Sequence, residues 1–414
     1  MLLNRPRATQ WMDRCGLDVI IVTGAVNLQY VSGYRCWLNP VCKRYMDNPG
    51  DLSAPLPYFA VLPATGEPAL VIDEIFEVNA ANIWIEDRFV IAETADDDDQ
   101  ARDSTTVPAA SSDWFTPSSR RFPSYMVALV EALCARGLSD GRIGFEGEAV
   151  ALEDQAALCQ ALPSAKFRDC SNLVRLIRMV KTEEELSRAR RAAEIAEAAL
   201  LKTVSLAKPG GQVQELVQRF RESVGAAGAE LDHFAFSPQG LGIATEVNYE
   251  LSADEIAFID FGCIYRQYYS DAGTTLMVGR PEPSDQRLFD LLVECLRRGA
   301  DAMQPGASSA EVQGVMAEVM EKGGITGELP HGHGLGLELR EYPILMPEND
   351  LRIRDDCVDL PTVLPLEEGM LLNLEASIYG LNDKVFHLEQ SYVVTDCGCE
   401  PLTDRDLTLP LLVE

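Results

Sequence analysis

The chain has 414 residues, a length that predicts two or three domains. Apolar residues make up 47% and charged residues 24%, the balance of a chain that buries a large core, which excludes disordered and fibrous classes. The formal net charge of −30 repels nucleic-acid phosphates and anionic lipid, so neither is expected as a general partner.

No run approaches the ~18–20 apolar residues of a membrane span. The most apolar early stretch, Leu17 to Val26, contains Asp18 and Gly24 and no cleavage pattern follows it, so no signal peptide is expected. The cysteines number 11 and are scattered, which predicts free thiols in a reducing cytoplasm.

In chain order, Leu17 to Val22 reads as a buried strand. Tyr58 to Leu62 and Pro68 to Ile72 flank Ala64-Thr65-Gly66-Glu67, a hairpin turn. A helix is predicted at about Tyr125 to Ala135 and a strand at Ile143 to Phe145. Between them, Ala95 to Arg121 carries four consecutive aspartates and a Ser/Thr/Pro-rich run, which predicts a mobile surface loop. Near residue 176 the pattern changes. Thr182 and Glu185 form a capping box, opening a long helix that Pro209-Gly210 stops. The domain boundary is placed just before that helix.

The second part holds a faint repeat. Pro209-Gly210 leads to Glu215-Leu216-Val217, and Pro305-Gly306 leads at the same interval to Glu311-Val312. Each copy runs into a strand-rich acidic segment. After the first, Asp260 ends an apolar strand and Asp271 follows eleven residues later, the spacing of a hairpin. After the second, Glu375 and Glu389 sit fourteen residues apart on another predicted hairpin. Buried carboxylates side by side repel, and no Lys or Arg lies close in sequence to Asp260 or Glu375. A divalent metal would compensate them. His333, between two glycines, adds an imidazole. A Gly-flanked histidine alone is more often a turn residue, but four carboxylates and one imidazole make an oxygen-rich set with ligands for two ions. Mn²⁺, Co²⁺, Fe²⁺ and Zn²⁺ are all candidates.

These motifs resemble the pita-bread metallohydrolase family of creatinase, prolidase, Xaa-Pro aminopeptidase and methionine aminopeptidase. Asn27-Leu28-Gln29-Tyr30-Val31-Ser32-Gly33-Tyr34 is similar to the creatinase-type amino-terminal domain. The run Leu176 to Glu185 is similar to the family's entry into its catalytic domain. The resemblance implies an α/β chain with a creatinase-type domain at 1–175 and a pseudo-symmetric pita-bread catalytic domain at 176–414. It implies two metals held by Asp260, Asp271, His333, Glu375 and Glu389, with Asp271 and Glu389 bridging. It implies attack by a metal-activated water, with Glu375 as general base and then general acid. It also implies a homodimer.

Some positions depart from the family pattern. Asn248 and Arg340 stand where family peptidases carry histidines, and His387 stands where they often carry arginine. Arg340 is therefore a candidate oxyanion stabiliser or substrate-carboxylate clamp, or else the partner of Glu338 or Glu341. Asn248, His387 and His233 are candidate substrate contacts, though His233 reads as a core histidine before it reads as a substrate contact. His331 is expected to support the site rather than ligate. Trp37, Arg35 and Tyr45 are expected to be ordinary surface residues. The expected function is metal-dependent hydrolysis of a peptide or small amide, nearest to the Xaa-Pro peptidases. A creatinase-like or ectoine-hydrolase-like amidohydrolase and a non-catalytic binding module are the alternatives.

Overall fold

The Val-Ile-Ile-Val run of β1 (Val19–Val22) is buried throughout, as an interior strand of its sheet. The computed structural model describes residues 1–38, 41–92, 114–118, 120–328, 330–381, 384–408 and 410–413. They divide into two compact units, Met1–Arg178 with Ile353–Leu360, and Met179–Arg352 with Pro361–Glu414. All 11 cysteines are free. No helix among the described residues is long and apolar enough to cross a membrane.

In the first unit β1 pairs with β2 (Phe59–Pro63), which turns through Gly66 at φ 97° into β3 (Ala69–Asp73). The sheet continues through β4 (Arg88–Ile91) to β5 (Arg121–Phe122) on one side. On the other it continues through β6 (Arg142–Phe145) to β7 (Lys166–Asp169). The helix Tyr125–Cys134 buries Ala128, Leu129, Ala132 and Leu133 against this sheet. The four aspartates of the expected surface loop lie outside the described residues. Its last residue, Arg121, is not loop: it begins edge strand β5, paired in parallel with β4. Trp37, at 71% exposure, and Tyr45 are exposed.

In the second unit Thr182 caps the helix Glu183–Val204. Its side chain accepts from Glu185 N–H, while Glu185 accepts from Thr182 N–H at 2.8 Å. A second helix, Val213–Ala226, follows the turn at Pro209-Gly210. The helices Pro283–Ala302 and Ser309–Lys322 repeat this arrangement around Pro305-Gly306. Gly210 and Gly306 have φ of 78° and 89°, so both turns use the left-handed region that glycine enters without strain.

The first helix pair leads to β8 (Glu230–Phe236), β9 (Ile256–Tyr265), β10 (Tyr268–Tyr269) and β11 (Ala272–Val278). The second leads to β12 (His331–Gly334) and β13 (Glu341–Leu345). A short ribbon follows, β14 (Arg352–Arg354) with β15 (Asp359–Pro361). Then come the long strands β16 (Leu371–Leu381) and β17 (Lys384–Val394). Apart from β14 and β15, these strands join into one sheet in the order β10-β9-β11-β17-β16-β12-β13, with β8 paired to β9.

Glu185 is buried under this unit, bonded to Thr182 N–H and to Tyr268 O–H at 3.1 Å. Burial, opposed by Lys181, pushes its carboxyl up to about 7. An acid raised in the folded state favours folding below its unfolded value, and that advantage is lost as pH rises to the folded one. Gln at this helix position preserves the capping box. Glu185→Gln is therefore expected to gain ~1–3 kcal/mol over wild type between pH 5 and pH 8. Urea unfolding at both pH values measures this, and a pH-independent difference would contradict it.

Candidate metal centre

One row of cross-strand partners crosses the second sheet. Asp260 on β9 lies opposite Gly273 on β11, and Gly273 opposite Glu389 on β17. Glu389 lies opposite Glu375 on β16, and Glu375 opposite His331 on β12. Directly opposed residues share a face, and residues two apart on a strand share it too. Asp271 and His333 therefore join Asp260, Glu389 and Glu375 on that face. Gly273 supplies the gap in the row, since a Cβ there would collide with the His387 ring and lie 2.9 Å from Glu389 Oε2.

His333 is 1% exposed. Its Nδ1–H donates to Gly334 O at 2.9 Å, and its Nε2 faces Asp271 Oδ2 at 3.4 Å and Glu375 Oε1 at 3.8 Å. Asp271, His333 and Glu389 each offer a ligand atom, all within 4.8 Å of one another. Burial, with Asp271 and Asp260 beside it, pushes Glu389 well above the usual carboxylate range. Burial also raises Asp271. For Glu375 burial is outweighed by the His331 hydrogen bond and by the nearby histidine charges, which bring it down to about 2. The donor set fits a divalent metal: mostly hard oxygens and one imidazole, gathered on one face of the sheet.

The remaining candidate residues separate. Arg340 points at the row, with Nη2 3.1 Å from Glu375 Oε1 and a side chain 55% exposed. His331 Nε2 is 2.6 Å from the same oxygen. The substrate contact expected at His387 does not match its burial. Its ring lies beside Glu389, with Nε2 hydrogen-bonded to Glu389 Oε2 at 3.2 Å and Nδ1 to Ser377 Oγ at 2.8 Å. Burial brings its pKa down to about 4. It shares a face with Glu389 because the two are two residues apart, and the Phe258 ring packs beside it, tilted by 45°, at 4.3 Å between ring centroids. Asn248 is exposed and, among the described residues, makes no hydrogen bond to the cluster. His233 is neither a surface contact nor an isolated core residue: its Nε2 lies 2.7 Å from Asp260 Oδ1. Sequence reading missed Asn373, whose amide donates to Glu389 Oε1, and Ser377. Both lie on β16 at two-residue steps from Glu375, the one signal that would have found them.

Residues 187–396 match metallopeptidase family M24, and residues 5–180 match the creatinase/prolidase amino-terminal domain. The chain belongs to metallopeptidase family M24. It is a metallohydrolase, and small peptides are the substrate class of its family. An Xaa-Pro dipeptidase of Pyrococcus furiosus is 25% identical over 253 residues, 59% of this chain and 68% of that one. An uncharacterized peptidase of Staphylococcus aureus is 27% identical over 269 residues, 62% of this chain and 72% of that one. The same fold occurs in an X-Pro aminopeptidase from Thermotoga maritima, with TM-score 0.71, 20% identity and 99% of both chains covered. An Xaa-Pro dipeptidase from Bacillus anthracis gives the same TM-score, 0.71, at 20% identity and 99% coverage of both chains.

A metal that binds only the folded M24 enzyme must stabilise it. Free ion at 100 times its Kd is expected to add about 2.7 kcal/mol. Thermal unfolding of chelator-treated and reloaded protein measures this. Equal melting temperatures would contradict a metal centre in the buried row.

Proposed function

We propose that this enzyme is an Xaa-Pro-type peptidase with two divalent ions held by Asp260, Asp271, His333, Glu375 and Glu389. The observation that carries the reading is the cross-strand row that sets Glu375 opposite Glu389 and both beside Asp271 and His333. Bound ions would supply a polarised scissile carbonyl and a water acidic enough to be deprotonated near neutral pH. Asp271 and Glu389 lie between the other ligands and would bridge. Manganese is one of several ions this oxygen-rich set accepts. A homodimer and a cytoplasmic location complete the proposal. The peptidase relatives favour this reading over the small-amide and non-catalytic alternatives.

Glu375 takes the proton from the attacking water and passes it to the leaving nitrogen. Its low pKa keeps it ionised at neutral pH. His331 and Arg340 both approach Oε1, so they hold its orientation. His387 and Asn373 fix Glu389 from below. Arg340 is also open to solvent and permanently charged, so it suits the terminal carboxylate of a dipeptide. This favours dipeptidase over longer-chain aminopeptidase action.

Two variants test these roles. Glu375→Gln keeps the shape and removes the base, so turnover on an Xaa-Pro dipeptide is expected to fall at least ~10²-fold with protein still folded. Near-normal turnover would remove Glu375 from its role. Arg340→Lys keeps the charge and loses the planar fork. KM for dipeptides is expected to rise severalfold more than KM for the corresponding dipeptide amides. An equal rise for both would contradict the carboxylate clamp.

A further inference from the structure

His233 and its neighbour Asp232 occupy an irregularity that no step above uses. Neighbouring residues on a regular strand point to opposite faces. Here the β8–β9 pairing runs Leu231 opposite Cys263 and then His233 opposite Gly262, leaving Asp232 as an extra residue. A bulge of this kind re-aims side chains. It brings Asp232 Oδ2 to 2.7 Å from its own neighbour's Nδ1. His233 is two residues from Ala235, which lies opposite Asp260, so the ring stands on the face of the carboxylate row. Its Nε2 is 2.7 Å from Asp260 Oδ1 and 3.5 Å from Asp271 Oδ1. The three residues each offer a ligand atom, all within 4.8 Å of one another. The ring has room because residue 262 is glycine, where a Cβ would lie 2.6 Å from His233 Cε1.

We propose that His233 is a nitrogen ligand of the ion held by Asp260 and Asp271, and that Asp232 is the positioning residue that orients its ring. The proposal rests on the two-metal reading and adds a sixth ligand to it. A carboxylate on the far nitrogen is the usual partner of a metal-ligating histidine, since it fixes the tautomer and raises the basicity of the ligating nitrogen. Asp271 then stands between two imidazoles, with Oδ1 facing His233 and Oδ2 facing His333. One ion would gain a nitrogen donor from His233, as His333 would supply one to the other. Nitrogen donors favour zinc, cobalt and iron over manganese relative to an all-oxygen site.

X-ray absorption of the zinc-loaded full chain, with competition titrations for Zn²⁺ and Mn²⁺, tests this in wild type, His233→Gln and Asp232→Asn. Wild type is expected to hold two ions and two imidazoles per pair. His233→Gln is expected to show one imidazole and at least ~10-fold weaker binding of one Zn²⁺, with Mn²⁺ affinity changed much less. Asp232→Asn keeps both imidazoles and weakens the same Zn²⁺ about 10-fold. One imidazole per pair in wild type overturns the proposal, even if His233→Gln fails to fold. So does a His233→Gln protein with wild-type zinc affinity. Two bound ions in either case leave the two-metal reading standing. A wild type that binds no ion overturns both.

Discussion

Four carboxylates stand on one face of adjacent strands, and two of them, Asp271 and Glu389, are buried. Neither burial nor mutual repulsion favours that arrangement. Burial raises the pKa of Glu389 and Asp271, and imidazoles stand at both ends of the row. A divalent cation offsets the same cost more completely. The details nearby follow from this requirement. The glycine at 273 keeps the row open, Gly334 O orients the His333 ring, and Asn373 and His387 hold Glu389 in one orientation.

The row crosses the join between the two repeated halves, β11 and β17. Among the described residues their ladder has a single register pair, Gly273 with Glu389. Side chains complete the seam. Ser391 Oγ donates to Asp271 O at 3.1 Å. Thr275 Oγ1 donates to His387 O and accepts from His387 N–H, both at 2.9 Å. Arg405 Nη2 donates to Gly273 O at 3.1 Å and also to Glu389 O. The strand spacing that sets the distance from Asp271 to Glu389 is thus fixed by hydroxyls and a guanidinium rather than by a continuous ladder. Changes at Thr275, Ser391 or Arg405 act on the metal site without touching it.

Local chemistry was legible in the sequence where it was self-contained. The Thr182–Glu185 cap, the two Pro-Gly turns and the β2–β3 hairpin each depend on a few consecutive residues, and the family resemblance rested on runs of that kind. Features set by pairing between distant strands were not legible. Periodicity cannot register the extra residue at Asp232, so the link from Asp232 through His233 to Asp260 was invisible. His387 was read as a substrate contact because its spacing from Glu389 gives the face but not the depth. Arg121 was read as loop because two residues carry no periodic signal, and the edge of β4 decides their conformation. Residues Ile353–Leu360 group with the first unit although the chain around them belongs to the second, an exchange no composition shift marks.

The central claim is that the carboxylate row exists to hold metal. Anomalous diffraction from a crystal of the metal-loaded enzyme, recorded on both sides of the ion's absorption edge, tests it most directly. The account predicts two edge-dependent peaks, enclosed by Asp260, Asp271, His333, Glu375 and Glu389. Strong peaks elsewhere on the molecule, with these five side chains left bonded only to one another, would contradict it.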